Sequence, residues 1–551
     1  MGAPSNTDPE QQTPSSLSNA YKTSPDEKDD VTIEKTGVEI QVADSSRNND
    51  QRKSFKDGFA SLFTKQGLSD TGAVLWKFAR FTGPGAVITV AYVDPDNLQS
   101  NLTSGAEFKF KLLFMILFSN VVAVFLQALS TKLGCVTGMD LAQMNRAFLP
   151  RWLNFVLWLM AEASIICTDI SQVIGTAIAI NILNSKIPLV AACGISVVDT
   201  LVILLFYKPD GTLRRIRIFE IFVSMFVVAI FIMYCIELSY ISADVGQVFK
   251  GYLPSRQIFV SDGLYQSCAL LGGTLMPHTI YLGSGLVQPR MREIDRLHNR
   301  LHEVKASDSK YAIDLYKPTL STIRSTMSYT IAELCITLFI VAIFVNSAVL
   351  IVAGAVFSED ASDADLPGLY QVFVDTIGLA SGKIFAVSLL FSGVSAGIVC
   401  TMAGQMICEG AMNWRMNPFL RRFLTRCISI IPAMIIAAAE GQQGFAAALN
   451  GCNVVLSVAL IFLTFPLLWF TSQNKYMRVR IDDTKEPVGV VDGILTYQTE
   501  RAIWASGGDV EDTISLTNNK ATTTVGWIIW FIIAAMNVAT LTFLGLGIGG
   551  D

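Results

Sequence analysis

A short segment, AYVDPDNLQSN at residues 91–101, sets two carboxylates, a proline and several amides inside apolar sequence. Asp94, Asp96 and Asn97 supply side-chain oxygen atoms, which are the ligands that hard divalent cations prefer. Pro95 lacks a backbone N–H and clashes with the preceding turn, so it breaks a helix at this point. The segment therefore has the composition of a cation site built around an interrupted helix.

A second apolar segment, residues 261–290, is interrupted in a comparable way. We expect its breaks at Gly272-Gly273 and at Met276-Pro277-His278. Carbonyls freed at such breaks can stay unpaired at membrane depth only where they line a cavity or bind a ligand. The candidates are carbonyls near Ala91 and Gly273, together with the thioether of Met276, which favours transition metals over Mg²⁺ or Ca²⁺. Ordinary packing remains the alternative for Met276.

The composition of the chain places both segments in a membrane. Only 16% of the 551 residues are charged, against roughly 25% in soluble domains, and the mean hydropathy is +0.46. Apolar stretches long enough to span a bilayer recur eleven times. We place them at residues 78–107, 112–134, 152–183, 188–207, 216–240, 263–288, 320–357, 380–411, 422–440, 444–471 and 525–548.

The arrangement of these spans is typical of a transporter. The two interrupted spans lie five apart, and paired interruptions in corresponding halves of a chain mark a transporter's central site. Loops rich in Lys and Arg alternate with an acidic loop at residues 357–367, which predicts a cytoplasmic N-terminus. Residues 1–70 are polar and lack an apolar signal segment, so we expect a disordered cytoplasmic tail. The net charge of −5 is modest and indicates no nucleic-acid partner.

Ionisable residues inside spans are candidates for function by default. Asp94, Asp96, Asp169 and His278 are such residues. Histidine titrates near neutral pH, so His278 is a candidate proton relay, with a hydrogen bond to a neighbouring helix as the alternative. For Glu162 a structural, hydrogen-bonded or protonated role is favoured over one in transport.

Several motifs carry a family resemblance. They read TGPG (82–85), DPDN (94–97), FKFKLLF (108–114), TDISQVIGTAIAINIL (168–183), MPH (276–278), LGSGLVQPR (282–290) and TMAGQ (401–405). In this order they resemble the natural resistance-associated macrophage protein (Nramp) family of proton-coupled divalent metal transporters, and in particular its fungal and yeast manganese transporters. The resemblance implies an all-α polytopic membrane protein with a leucine-transporter-type fold, two inverted five-helix repeats and about eleven transmembrane helices.

The chain is expected to divide into five parts, of which the two inverted repeats are what the resemblance implies. Its parts would be the tail (1–70), a first inverted repeat with spans 1–5 (77–240), a second with spans 6–10 (263–471), a polar cytoplasmic loop (472–524) and span 11 (525–548).

The resemblance assigns roles to individual residues. Metal contact falls to Asp94, Asn97 and Met276, with backbone help at Ala91 and Gly273. Proton handling is implied for Asp94, His278, Asp169 and arginines that open the ninth span, such as Arg422.

Four positions depart from the family pattern. Asp96 replaces a glycine and would act either as an extra ligand or as a helix cap. Gly273 replaces an alanine. Gln172 stands in the proton pathway where a glutamate normally lies, which would weaken proton coupling. Asn453 replaces a glutamine that can reach the metal, so we expect it to contact the ion through water.

The expected function is proton-coupled transport of Mn²⁺, Fe²⁺ or a similar ion toward the cytoplasm by alternating access. Two alternatives remain: a carrier with selectivity shifted to Mg²⁺ or a trivalent ion, and a metal sensor that transports poorly. We expect no enzyme, because no nucleophile–base pair or zinc motif is visible, and no cofactor beyond the transported ion and protons. The partners would be metal ions, the lipid bilayer, and trafficking or ubiquitination machinery that contacts the tail. The membrane would be plasma, endosomal or vacuolar.

Overall fold

The computed structural model describes most of the chain after residue 91. It covers residues 92, 94–198, 225, 228, 231–241, 243–298, 317–357, 364–414, 417–481, 490–491, 494–495 and 513–547. The predicted tail 1–70 lies outside the described residues, as do Ala91 and parts of the predicted spans 78–107, 188–207 and 216–240. Trafficking contacts of the tail therefore stay a prediction.

Helices account for nearly all of the described chain. In order they are α1 (Pro95–Phe108), α2 (Leu113–Thr137), α3 (Leu141–Phe148), α4 (Arg151–Leu183), α5 (Leu189–Ile195), α6 (Phe231–Tyr240), α7 (Val245–Gly251), α8 (Ser261–Leu275), α9 (Pro277–Gly285), α10 (Val287–Leu297), α11 (Leu320–Thr337), α12 (Ile343–Val356), α13 (Leu366–Thr376), α14 (Leu379–Met412), α15 (Pro418–Ala439), α16 (Gly441–Ser472) and α17 (Lys520–Gly545).

Seven of the described helical segments are long and apolar enough to cross a membrane. They are α2, α4, α11 joined to α12, α14, α15 from Leu420, α16 and α17. Each overlaps one predicted span, which confirms a polytopic helical protein. A helix can cross lipid because its backbone hydrogen bonds are all made within the segment. A π-helical turn (Leu338–Ala342) joins α11 to α12.

The sixth predicted span is two helices in the structure. Helix α8 ends at Leu275 and α9 begins at Pro277, with Met276 between them at φ −3° and ψ 108°. Proline suits the first position of α9, where no intrahelical donor is needed. The break predicted at Gly272-Gly273 is wrong, because α8 continues through both residues.

Two large apolar clusters of the buried core meet at α4. One apolar cluster joins α2, α9, α14 and α16, and a second joins α1, α12, α13 and α15. Successive parts of α4 contribute to both clusters, through Ala161 and Ile165 in the first and Val173 and Ala177 in the second. This long helix is therefore the common support for both groups.

Short strands occur in the predicted polar loop 472–524. Strand β1 (Arg478–Arg480) pairs antiparallel with β4 (Thr513–Ser515), and β2 (Val490–Val491) pairs with β3 (Ile494–Leu495). Met477 and Val479 are buried against the first core cluster. The all-helical prediction missed this pairing, which fastens both ends of the loop to the helices.

Helices α2 and α9 approach closely enough for their backbones to touch. Ser130 of α2 donates a hydrogen bond to the carbonyl of Ile280 in α9. The Ser284 hydroxyl of α9 accepts from the backbone N–H of Leu141, at the start of α3. A Cβ at Gly134 would lie only 2.0 Å from the carbonyl oxygen of Ser284. A glycine is therefore required at this crossing.

Gly134→Ala should destabilise the protein, because the added methyl meets backbone that cannot move aside. Overpacking of this kind costs about 1–3 kcal/mol or more. Thermal unfolding in detergent would measure the effect. Gly194→Ala is the matched control, since a Cβ there meets no described atom within 4 Å. Equal unfolding temperatures for the two variants would contradict the prediction.

Candidate functional site

At the first break, two side chains each have one oxygen without a hydrogen-bond partner among the described residues. Asp94 caps α1, because its Oδ1 accepts from the backbone N–H of Asn97 at 3.2 Å. The amide Nδ2 of Asn97 donates to the carbonyl of Tyr92 at 2.9 Å. Asp94 Oδ2 and Asn97 Oδ1 have no hydrogen-bond partner among the described residues. Both side chains are therefore fixed by one contact and offer a second acceptor.

Asp96 lies in the first turn of α1 and is fully buried. Neither of its carboxylate oxygens has a hydrogen-bond partner in the described part of the chain. Since Asp94 supplies the side-chain cap, the structure gives Asp96 no capping hydrogen bond. The first turn of a helix still favours an acid electrostatically.

The second break ends a helix at Leu275. Met276 follows the last residue of α8 and is buried. In a continuous helix the carbonyl of Gly273 would accept from residue 277, but Pro277 has no N–H to donate. Ala91 and Pro95 have the same spacing in the sequence. A helix C-terminus carries partial negative charge, which suits a cation.

Two amide side chains connect the breaks. Gln127 Nε2 donates to Thr279 Oγ1 at 2.8 Å and lies 3.4 Å from the hydroxyl of Tyr92. Asn453 Nδ2 donates to the backbone carbonyl of Asp96 at 3.1 Å. Sequence reasoning missed Gln127, although a lone amide in the middle of an apolar span was an available signal. These contacts bring the two predicted segments to one place.

Several side-chain atoms near the first break that lack a hydrogen-bond partner among the described residues are acceptor oxygens. The acceptor oxygens without a hydrogen-bond partner among the described residues include Asp94 Oδ2, both carboxylate oxygens of Asp96, Asn97 Oδ1 and Asn453 Oδ1. Buried polar groups are normally satisfied, and a concentration of acceptors alone calls for positive charge. The described residues hold no group of three His, Cys, Asp or Glu side chains suited to a metal. A cation here would therefore need amide, thioether and backbone ligands as well.

A second polar cluster joins α4 to α15. Asp169 Oδ1 accepts from Arg422 at 2.5 Å and from Arg426 at 3.0 Å. Arg422 also donates to Gln172 Oε1 at 3.3 Å. All four side chains are buried. One carboxylate thus faces two guanidinium groups.

A third arginine, Arg421, pairs with Glu162, which lies two turns before Asp169 on α4. Arg421 Nη2 donates to both carboxylate oxygens of Glu162 at 2.7 and 2.8 Å. The thiol of Cys408 donates to Glu162 as well. Glu162 therefore has the structural, hydrogen-bonded surroundings that were favoured for it. Sequence reasoning named Arg422 but neither Arg421 nor Arg426, although all three lie in RRFLTR (421–426).

His278 is buried in the first turn of α9. Its Nδ1 has no hydrogen-bond partner in the part of the chain that the structure describes. Its role in a proton relay stays a prediction.

Comparisons with known proteins decide the family. The family model described as natural resistance-associated macrophage protein-like (Nramp) matches residues 85–489. The chain belongs to the Nramp family.

Two of the relatives that the chain matches are transporters by name. The chain is 41% identical to the manganese transporter pdt1 of Schizosaccharomyces pombe over 92% of both chains. It is also 41% identical to the iron transporter SMF3 of Saccharomyces cerevisiae, over 84% of this chain and 96% of that one. The resemblance to the Nramp family is thereby confirmed.

The Nramp fold is confirmed by a solved structure. The crystal structure of the Eremococcus coleocola manganese transporter matches with a TM-score of 0.65 and 28% identity, covering 85% of this chain and 87% of that one. The chain is a multi-pass membrane protein with the leucine-transporter-type architecture. The exact repeat boundaries at 77–240 and 263–471 stay predictions.

Gln172, predicted to stand where the Nramp pattern has a glutamate, lies in the second polar cluster. Gln172 keeps a hydrogen bond to Arg422 but brings no charge. Asp169 and Glu162 therefore provide two negative charges beside the three arginines. The residue roles at the breaks and in this cluster stay predictions.

Asp169→Asn should strongly destabilise this Nramp protein. It would leave Arg422 and Arg426 buried without the carboxylate that both contact, and breaking a buried pair costs about 3–5 kcal/mol. Thermal unfolding of the purified protein would measure the loss. Asp375→Asn, at an exposed carboxylate, is the control. If Asp169→Asn unfolds at the same temperature as that control, the carboxylate does not hold the cluster.

Proposed function

We propose that this chain carries divalent transition-metal ions, Mn²⁺ or Fe²⁺, toward the cytoplasm by alternating access and together with protons. The observation that supports this most directly is the group of buried acceptor oxygens at the first helix break and on α16 that have no hydrogen-bond partner among the described residues. The relatives of this chain include a manganese and an iron transporter by name. These names favour transport over catalysis.

The metal site combines hard and soft ligands. Asp94 Oδ2 provides the negative charge, and Asn97 Oδ1 provides a neutral oxygen whose direction is set by the bond from Asn97 to Tyr92. The carbonyls of Ala91 and Gly273 complete the oxygen ligands, while the sulfur of Met276 favours a transition metal over Mg²⁺ or Ca²⁺. A mixed set of this kind suits an ion that must be released as well as bound.

Alternating access follows from the burial of this site. Asp94 and Met276 are at most 2% exposed, so an ion in contact with both is closed off from solvent. Entry and exit then require α1, α8 or α9 to move relative to the surrounding helices. The break at Met276-Pro277 divides the sixth span into two helices, α8 and α9, that can change angle independently.

Proton handling is assigned to Asp94, His278 and Asp169. Protonation of Asp94 would remove the charge that attracts the metal, which links proton and metal occupancy at one carboxylate. Arg422 contacts both Asp169 and Gln172. Protonation of Asp169 would therefore weaken its contact with Arg422 and shift the hydrogen bond between Arg422 and Gln172. The neutral Gln172 limits this branch to one carboxylate and weakens its coupling.

Uptake into liposomes tests the proposed function. The native protein should take up Mn²⁺, and an inward proton gradient should accelerate that uptake. Asp94→Ala should abolish it, because the carboxylate whose unpartnered oxygen would bind the ion is lost. Asp262→Ala, at an exposed acid in the first turn of α8, is the control. No flux through native protein would favour the sensor and reject transport.

Asp96 favours a second candidate function, transport with selectivity shifted toward Mg²⁺ or a trivalent ion. Its buried carboxylate would add a second negative charge beside that of Asp94, two residues away in the chain. Extra carboxylate ligands favour small, hard cations.

Competition between Mg²⁺ and Mn²⁺ separates the two candidates. If Asp96 belongs to the ion site, Mg²⁺ should inhibit Mn²⁺ uptake by the native protein, and Asp96→Gly should relieve this inhibition about tenfold, as expected for loss of one charge-assisted contact. Equal inhibition of both proteins would assign Asp96 no part in selectivity. The unfolding temperature of Asp96→Gly controls for structural damage.

A further inference from the structure

Two neighbouring glycines allow α8 to lie directly against α16. A Cβ at Gly272 would fall 1.8 Å from the backbone carbonyl oxygen of Asn453. The helix backbones are therefore in contact at the turn of α16 that carries Asn453. This close approach brings the Asn453 side chain level with the next residue of α8, Gly273.

Gly273 provides the space that the Asn453 amide fills. A Cβ at Gly273 would lie 2.9 Å from Asn453 Nδ2, 3.1 Å from its Cγ and 3.2 Å from its Oδ1. Gly273 lies within α8, where any residue can adopt the backbone angles and glycine costs about 1 kcal/mol relative to alanine. Its value at this position is therefore the space left by the missing side chain.

The amide placed in this space fastens α16 to the first break. Asn453 Nδ2 donates to the carbonyl of Asp96 at 3.1 Å and to Ser100 Oγ at 2.8 Å. Ser100 Oγ in turn donates to Asn450 Oδ1 at 2.9 Å. Asn453 Oδ1 is buried and has no hydrogen-bond partner among the described residues. Both hydrogens of the amide are thus used on α1, which leaves its oxygen as an acceptor.

We propose that Gly273 and Asn453 form a matched positioning pair for the metal site. The missing side chain at 273 lets the short Asn453 amide reach α1, and the amide then fixes the first turn of α1 beside the carbonyl of Gly273. A methyl at 273 would press on this short amide at 2.9–3.2 Å, so the residues at 273 and 453 must change together. That the first turn of α1, placed in this way, binds a metal ion rests on the proposed function.

Thermal unfolding without metal tests the steric pairing by itself. In EDTA, Gly273→Ala should lower the unfolding temperature by a few degrees in the native background and by much less in the Asn453→Ala background. Gly451→Ala is the matched control, since a Cβ there has its nearest described neighbour 3.9 Å away, at the Tyr265 hydroxyl. An equal drop in both backgrounds would overturn the pairing, since the methyl would then clash with something other than Asn453.

Mn²⁺ binding to the purified protein, measured by calorimetry, tests the positioning role. Asn453→Ala and Gly273→Ala should each weaken binding about tenfold, the effect of leaving a buried acceptor unpaired. The double variant should bind no more weakly than Asn453→Ala alone. Losses that multiply would overturn the proposal.

The family combination provides a rescue experiment. Gly273→Ala with Asn453→Gln should bind Mn²⁺ within a few-fold of the native protein, whereas Gly273→Ala alone should not. Failure of this rescue would contradict the view that the residues at 273 and 453 must change together. If native protein binds no Mn²⁺, the proposed function fails, while the unfolding measurements still decide whether the pair exists.

Discussion

Backbone groups without partners in a water-poor interior are the constraint on which this structure depends. Pro95 and Pro277 each remove the donor that a carbonyl four residues earlier would use in a continuous helix. In a membrane such carbonyls must be satisfied by something other than lipid. The surroundings of the two breaks follow from this need, because amides from α2 and α16 tie the breaks together while acceptor oxygens remain available for a cation.

The same physics explains why α4 and α15 carry so many charges. A guanidinium in a buried position needs a carboxylate nearby, and Asp169 and Glu162 meet this need for three arginines. Gln172 gives Arg422 a hydrogen bond without a charge. Asp169 contacts two of the three arginines, which makes it the most sensitive member of the cluster.

Close contacts between helix backbones set the geometry of the site. The α2–α9 crossing at Gly134 and the α8–α16 crossing at Gly272 leave no room for a side chain, because a Cβ at either glycine would meet backbone within about 2 Å. Both involve a half-helix of the broken sixth span. The break is therefore held in place on two sides by main chain rather than by flexible side chains, which gives the site a defined shape.

The sequence by itself determined the membrane class, seven of the spans that the structure describes, the break at Met276 and the family, because hydropathy, proline and local motifs act over short distances along the chain. It also indicated Asp94, Asn97 and Met276 as ligands. Only the tertiary structure decided that Asp94 rather than Asp96 supplies the cap, that α8 continues through Gly272-Gly273, that Arg426 joins Arg422 at Asp169, and that Gln127 and Asn453 bridge the breaks. Each of these depends on the distance between helices remote in sequence, and that distance is set by packing, which no local pattern encodes.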